Sequence, residues 1–470
     1  MPDPDILTIE SGTVTAPAGC GKTHLIADAL MRHQRPKPIL VLTHTNAGVA
    51  ALRGRLDGFG VPRQSYRLAT IDGWSMRIAG AYPERSGVSM EVFQLSNPRN
   101  DYPAISQGVI QLMEGQHIND ILTASYDRLI VDEYQDCSVS QHTIISYVAN
   151  ILPTCVLGDP LQAIFGWVGN PDWNTVVLRR FPHAGELTTP WRWKNAGTGR
   201  FGQWLLEARR SLEQGLPIDL RTTPPEVDWV HLDGTEDYQR KIKAAHVAAS
   251  TNDGAVLVIV NSMPRSNHWD YASKIRGAIV VENADLGEFV GFAKDLNLTA
   301  NDAVEKLISF AGMVMTGAGA TEMIRRIRTL QAGRAQRGPS DAEQAALEFA
   351  ASPSPNAAVE LLVQINKQPG VRPHRASILR ACIRALNSCS NSEEFLETAI
   401  RVREQNRQLG RSLPKRAVGS TLLLKGLEAD VSVILDTDQL KTRDLYVAMT
   451  RGCRKLVICS SSPVLSPTMQ

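Results

Sequence analysis

"TVTAPAGCGKTHLIADAL", residues 13–30, sets a β-branched run, a proline and small residues before Gly-Cys-Gly-Lys-Thr, and a helical pattern after it. Thr13 to Thr15 read as a strand end, and Leu25, Ile26, Ala29 and Leu30 recur at helical spacing. Between them Gly19 and Gly21 let the backbone turn its N–H groups inward on a phosphate at a helix N-terminus. In such a loop Ala18, Gly19, Cys20 and Gly21 line the phosphates, and Lys22 reaches the β- and γ-phosphates. The Thr23 hydroxyl is the expected Mg²⁺ ligand. One position departs: the strict pattern asks for glycine where Ala16 stands.

The chain around this loop is too long for one core. Its 470 residues imply two to four domains, and 43% hydrophobic with 21% charged residues is the balance of a soluble globular protein. The longest strand-like apolar run, "AVLVIV" (255–260), is far short of a membrane span, so no membrane partner is expected. The N-terminal "MPDPDILTIE" is acidic and lacks the plan of a signal peptide. The seven cysteines are scattered, with no CxxC pair, which fits a reduced cytoplasmic protein without structural zinc. A net charge of +2 leaves nucleic-acid binding to local patches.

Along the chain, strand-like runs alternate with helical patterns from 1 to about 190. "ILVLTHT" (39–45), "RLIVDE" (128–133) and "CVLGD" (155–159) each end in polar residues, as parallel α/β sheets place chemistry at strand carboxyl ends. A second α/β set appears in "AVLVIVNS" (255–262), "ADVSVILD" (429–436) and "KLVICSS" (455–461). The stretch 284–410 is rich in Ala, Leu, Glu and Arg and reads as helical, broken by turns at "GRAQRGPS", "ASPSPN" and "KQPGVRP". The expected organisation is a first domain over 1–195 with a short insertion near 75–127. A second follows, made of 196–283 and 411–470 and split by the helical insertion at 284–410.

In "LIVDEYQD" (129–136) an apolar strand delivers two adjacent carboxylates. Asp132 suits Mg²⁺, usually through its water, and Glu133 suits polarising the attacking water. The next strand leads into "VLGDPLQAIFGW" (156–167), where Gln162 sits just past the strand end, placed to sense a γ-phosphate or hold a water. Phe165 and Trp167 are core aromatics on the bland reading. In a Gly-flanked segment beside a nucleotide site they are better placed to stack on bases.

These stretches together resemble the superfamily 1 helicases of the UvrD/Rep type. The matching segments are "APAGCGKT" (16–23), "VLTHTNAGVAALRGRL" (41–56), "ATIDGW" (69–74), "IVDEYQD" (130–136), "GDPLQAIFGW" (158–167), "LTTPWRWKN" (187–195), "LLLKGLEADV" (422–431) and "LYVAMTRG" (445–452). They keep the family's order from residue 16 to 452. The resemblance implies two RecA-like P-loop domains, each a parallel sheet flanked by helices, that use ATP and Mg²⁺ to move 3′ to 5′ on single-stranded DNA. It implies that Arg192 and Arg451 are arginine fingers, of the kind that reach across from a facing domain to spread phosphoryl charge. Glu428 matches the residue that accepts from the ribose hydroxyl. Thr45, Asn46, Trp74, Phe165 and Trp167 match positions that touch single-stranded DNA.

Several departures fall on DNA coupling and base recognition. No glutamine precedes Ala16, so the adenine edge has no expected partner. His44 stands where the family has phenylalanine, and "T-I-D" (70–72) replaces "T-F-H". "STLLL" (420–424) lacks the usual histidine. Within 320–416 there are 16 Lys/Arg against 9 Asp/Glu, a surplus of 7, which is either a solvated face or a surface for a duplex or a protein. The trimmed insertions are similar to those of the helicase-like component of Gabija-type anti-phage systems, which works with a nuclease. Two readings stay open at this point: a motor on single-stranded or partly duplex DNA, in defence or repair, or a nucleotide-gated adaptor for a nuclease subunit.

Overall fold

The computed structural model describes residues 3–165, 169–264, 266–283, 285–389, 394–408 and 413–468. They form two compact units: Met1–Val227 with Leu440–Arg454 and Pro463–Gln470, and Asp228–Gln439 with Lys455–Ser462.

The first unit is built on six strands, β1 (Ser11–Thr15), β2 (Ile39–Thr43), β3 (Tyr66–Thr70), β4 (Leu129–Val131), β5 (Thr154–Gly158) and β6 (His183–Glu186). Their order is β3-β2-β4-β5-β1-β6, every neighbouring pair parallel. Strands β2, β4 and β5 are buried at every position, as a sheet covered on both faces requires. Register sets the chemistry: Thr15 pairs with Gly158, and Val131 with Val156. The loops leaving β1, β4 and β5 therefore emerge along one edge of the sheet.

One face of this sheet is covered by α1 (Lys22–Arg32), which buries Leu25, Ile26, Ala27, Ala29 and Leu30, and by α2 (Asn46–Gly58). The helices Ile71–Ala81, Pro98–Glu114 and Val139–Val148 share a core with β2, β4 and β5. The stretch 75–127 thus folds as a layer of this unit.

The residues 196–227 and 440–454, which the sequence pattern groups with the second α/β set, lie in the first unit. Long-range bonds explain why. The Trp193 indole donates to the Gly452 carbonyl (3.0 Å), the Thr198 hydroxyl to that of Cys453 (2.6 Å), and Arg454 to that of Ala196 (3.0 Å). Ile218–Asp219 also pairs antiparallel with Val464–Leu465.

The other sheet, most of it in the second unit, is built from β7 (Val227–His231), β8 (Val256–Ile259), β9 (Ile279–Val280), β10 (Arg416–Gly419), β11 (Ala429–Ile434) and β12 (Gly452–Ser460), ordered β9-β10-β8-β11-β12-β7. Strand β8 runs parallel to both β10 and β11. Between β9 and β10 the insertion packs its helices around a core of its own, with Phe289, Phe310, Phe349 and Phe395 all buried and Phe292 stacked on Phe310 at 4.2 Å. Among the described residues no helix is long and apolar enough to cross a membrane.

Candidate nucleotide site and nucleic-acid interface

The loop between β1 and α1 turns through two left-handed glycines, Gly19 at φ 69° and Gly21 at φ 92°. Neither position has room for a side chain. A Cβ on Gly19 would lie 2.5 Å from Cζ3 of Trp193, and one on Gly21 would lie 2.9 Å from Cδ1 of Trp191. The loop is held from both ends, since Ala16 N–H donates to the Gly158 carbonyl (2.9 Å) and Arg192 N–H to that of Gly19 (3.0 Å). The Cys20 thiol faces the apolar layer, and burial, with the Asp159 charge adding to it, pushes its pKa up to about 12. It is no nucleophile.

Lys22 lies between the two carboxylates of β4's exit, 2.8 Å from Asp132 Oδ1 and 2.6 Å from Glu133 Oε1. Burial works against the ammonium charge, but Asp132 and Glu133 outweigh it and hold the lysine above its usual range. Asp132 is pushed upward by the same burial, with Lys22 pulling the other way. The Thr23 hydroxyl accepts from Arg55 at 3.2 Å. Glu133 itself sits at φ 56°, ψ 41°, a region that β-carbon sterics disfavour. A strained backbone at a charged residue is characteristic of sites whose surroundings over-determine them.

Gln162 ends the turn after β5, where its amide donates to Asp159 Oδ2 at 3.0 Å. Asp159 is buried and also pairs with the buried Arg209 at 3.2 Å. The two expected arginine fingers meet at one residue: Arg192 donates to the Thr450 carbonyl (2.7 Å) and Arg451 to the Thr450 hydroxyl (3.0 Å). Both belong to the first unit, which corrects the expectation of an arginine reaching over from a facing domain. The physical cause is the return of 440–454 onto the Trp191–Asn195 helix. Glu428 lies in the second unit, exposed in the turn leading into β11.

Of the residues expected to meet DNA, Thr45 and Asn46 are exposed at the start of α2, with Thr45 capping Gly48 N–H at 3.0 Å. Phe165 is half-buried, its ring 6.0 Å from that of His44. Trp167 lies outside the described residues. Trp74 needs correction: it is fully buried in the core behind β2 and β4, so no base can stack on it. Asp72, an odd neighbour for a phosphate backbone, accepts from the Gln141 amide at 2.7 Å and so serves the helix packing. The arginines of the helix Ala320–Gln331 are likewise engaged: Arg325 with Glu322, Arg326 with Glu343, Arg328 with Glu305.

Three residues beside the loop escaped the sequence reading. Trp191 is 43% exposed next to Gly21, with Lys194 over its ring, and its place just before Arg192 was the available signal. Tyr446 accepts from Ala18 N–H, a contact across 428 positions that no local pattern announces. Gln135, inside the acidic motif itself, bonds Glu133.

A glycine-turned loop at the end of one parallel sheet, an acidic pair two strands over and a second six-stranded sheet define a P-loop fold with two RecA-like sheets. Residues 94–174, which carry the acidic pair, Gln162 and Phe165, match the UvrD/REP helicase N-terminal domain. No curated protein matches significantly. Among solved structures the chain is similar to the arterivirus nonstructural protein 10 helicase with DNA (10% identity, TM-score 0.35), over 96% of this chain and 61% of that one. It is also similar to Pif1 helicase from Candida albicans (13%, TM-score 0.31; 58% and 52%) and to Pif1 from Bacteroides in complex with ADP-AlF3 and single-stranded DNA (15%, TM-score 0.28; 57% and 53%). The chain thus spans less than two thirds of the length of each.

Proposed function

We propose that this protein is a DNA-dependent ATPase of the UvrD/Rep type, a motor on single-stranded DNA. The observation that carries the reading is the position of Lys22 at the phosphate loop, between Asp132 and Glu133. An incoming triphosphate replaces the carboxylates as the partner of Lys22. The hydroxyl of Thr23 and the carboxylate of Asp132 are hard oxygen donors of the kind Mg²⁺ takes alongside phosphate and water. When bound, the ion screens the charge of the β- and γ-phosphates. Glu133, released from Lys22, polarises the attacking water, and Gln162 reads the γ-phosphate. Arg192 and Arg451 stabilise the charge spread over the transferred phosphoryl oxygens.

The exposed face of Trp191 gives the nucleobase a surface to stack on, which selects for a ring rather than for a hydrogen-bonding edge. ATP and GTP are then weakly distinguished, because rejection is strong only where polar groups would go unpaired. Phe165 and His44, with Thr45 and Asn46, form the surface for single-stranded DNA. Movement 3′ to 5′, and work with a nuclease partner in anti-phage defence or repair, extend this reading. The test is the ATPase rate with and without single-stranded DNA. Strong stimulation is expected; turnover indifferent to DNA would sink the motor and leave the nucleotide-gated adaptor.

A further inference from the structure

The side chain of Gln135 is buried, and both ends of its amide are engaged. Its Nε2 donates to Glu133 Oε2 at 2.6 Å, and its Oε1 accepts from the Asp159 backbone N–H at 3.1 Å. Asp159 opens the turn that bears Gln162, and its carboxylate accepts from that glutamine at 3.0 Å. One amide therefore joins the acidic residue at the end of β4 to the turn at the end of β5. Space for it is reserved: a Cβ on Gly158 would lie 2.8 Å from Gln135 Oε1. On its backbone side, the Gln135 carbonyl accepts from Asn170 Nδ2 at 3.1 Å, just beyond the aromatic segment.

The two oxygens of Glu133 face different partners, Oε1 toward Lys22 and Oε2 toward Gln135. When phosphates take Lys22, the bond to Gln135 persists and keeps the carboxylate aimed. We propose that Gln135 is a positioning residue that orients Glu133 for hydrolysis and ties it to the turn carrying Gln162, so that base and phosphate sensor keep a fixed relation. This inference rests on the ATPase reading above.

Steady-state ATPase kinetics of the full chain, with Gln135→Met and Gln135→Glu beside wild type and Glu133→Gln, test it. Gln135→Met keeps the volume and loses both bonds. Gln135→Glu keeps the acceptor for Asp159 N–H and replaces the donor by a like charge. Both should lower kcat by roughly ten- to a hundred-fold, with KM for ATP changed less than about threefold. A purely structural role would instead raise KM in step with the fall in kcat. If Gln135→Met fails to fold, Gln135→Glu decides: a lowered kcat with KM nearly unchanged supports the proposal, and a KM raised as much as kcat falls overturns it. A wild-type kcat in both variants, with Glu133→Gln inactive, also overturns it. An inactive wild type, or a fully active Glu133→Gln, overturns the ATPase reading instead.

Discussion

The Tyr446 hydroxyl lies 3.2 Å from the backbone nitrogen of Ala18, so one amide of the phosphate loop is satisfied by a side chain far along the chain. Tyr446 is fully buried, and burial, with the Asp159 charge adding to it, raises its pKa well above the ordinary phenol value. The neutral hydroxyl accepts from the loop without competing as an anion. Tyr446→Phe leaves that N–H unpaired and should destabilise the nucleotide-free protein by about 1–3 kcal/mol. Thermal unfolding with and without a non-hydrolysable ATP analogue measures this. The deficit should shrink with nucleotide bound; an equal deficit in both states would mean that phosphate never takes over the amide.

Lys22→Ala should abolish nucleotide binding and, in addition, lower the stability of the free protein. Removing the ammonium leaves Asp132 and Glu133 without their counter-charge; the loss falls below the about 3–5 kcal/mol of a fully buried pair, because the Glu133 side chain is 35% exposed. Glu133→Gln should retain ATP binding and lose turnover. Calorimetric titration with ATP and a phosphate-release assay separate the two; tight ATP binding by Lys22→Ala would contradict the site.

His374 gives the second unit a pH signature. Its ring is buried, with Nδ1 3.2 Å from the Thr316 hydroxyl. Burial, reinforced by Arg375 and Arg372, lowers its pKa to about 4. The unfolded chain then binds a proton between pH 6.5 and 4 that the folded chain refuses, so stability falls as pH drops through that window. The loss is on the order of 3 kcal/mol at pH 4. Unfolding of wild type and His374→Gln across pH 4–7 isolates this share from the carboxylates. Parallel curves would rule it out.

Phe165 and Trp74 should part company in binding assays. Phe165→Ala should weaken single-strand affinity by about 1–3 kcal/mol and blunt DNA stimulation of the ATPase, leaving basal hydrolysis. Trp74→Ala should cost about 3–5 kcal/mol of stability through its cavity. The milder Trp74→Phe should bind DNA as wild type does. Fluorescence anisotropy with a labelled oligonucleotide reads both, and a DNA defect confined to Trp74→Phe would reverse the assignment.

Much of the candidate nucleotide site was legible because it is local. A strand end, a pair of glycines and a lysine sit within ten positions, and so do Asp132 and Glu133 after Val131. What sequence could not reveal depends on distant neighbours. Trp74 resembles a DNA-facing aromatic until the helices at 98–114 and 139–148 close over it. Arg451 looks like a contribution from the second sheet until Thr450 and Gly452 bond residues 192 and 193. The positive surplus of 320–416 already counts Glu322 and Glu343, which pair with Arg325 and Arg326, and only Glu305, from outside that stretch, lowers it further by meeting Arg328.

The helical insertion leaves the second sheet after β9 and returns at β10, and these are adjacent strands, with Ile279 and Ala417 as register partners. A body that departs and re-enters at neighbouring points, and carries its own core, is tied to its host near its base, where Arg372 donates to the carbonyls of Ala272, Ser273 and Ile275. Loop-closure cost grows only slowly with length, so such a segment can lengthen, shrink or be exchanged while the sheet around it stays the same. Diversification in a lineage of such proteins would then concentrate between residues 280 and 416 and spare the strands on either side.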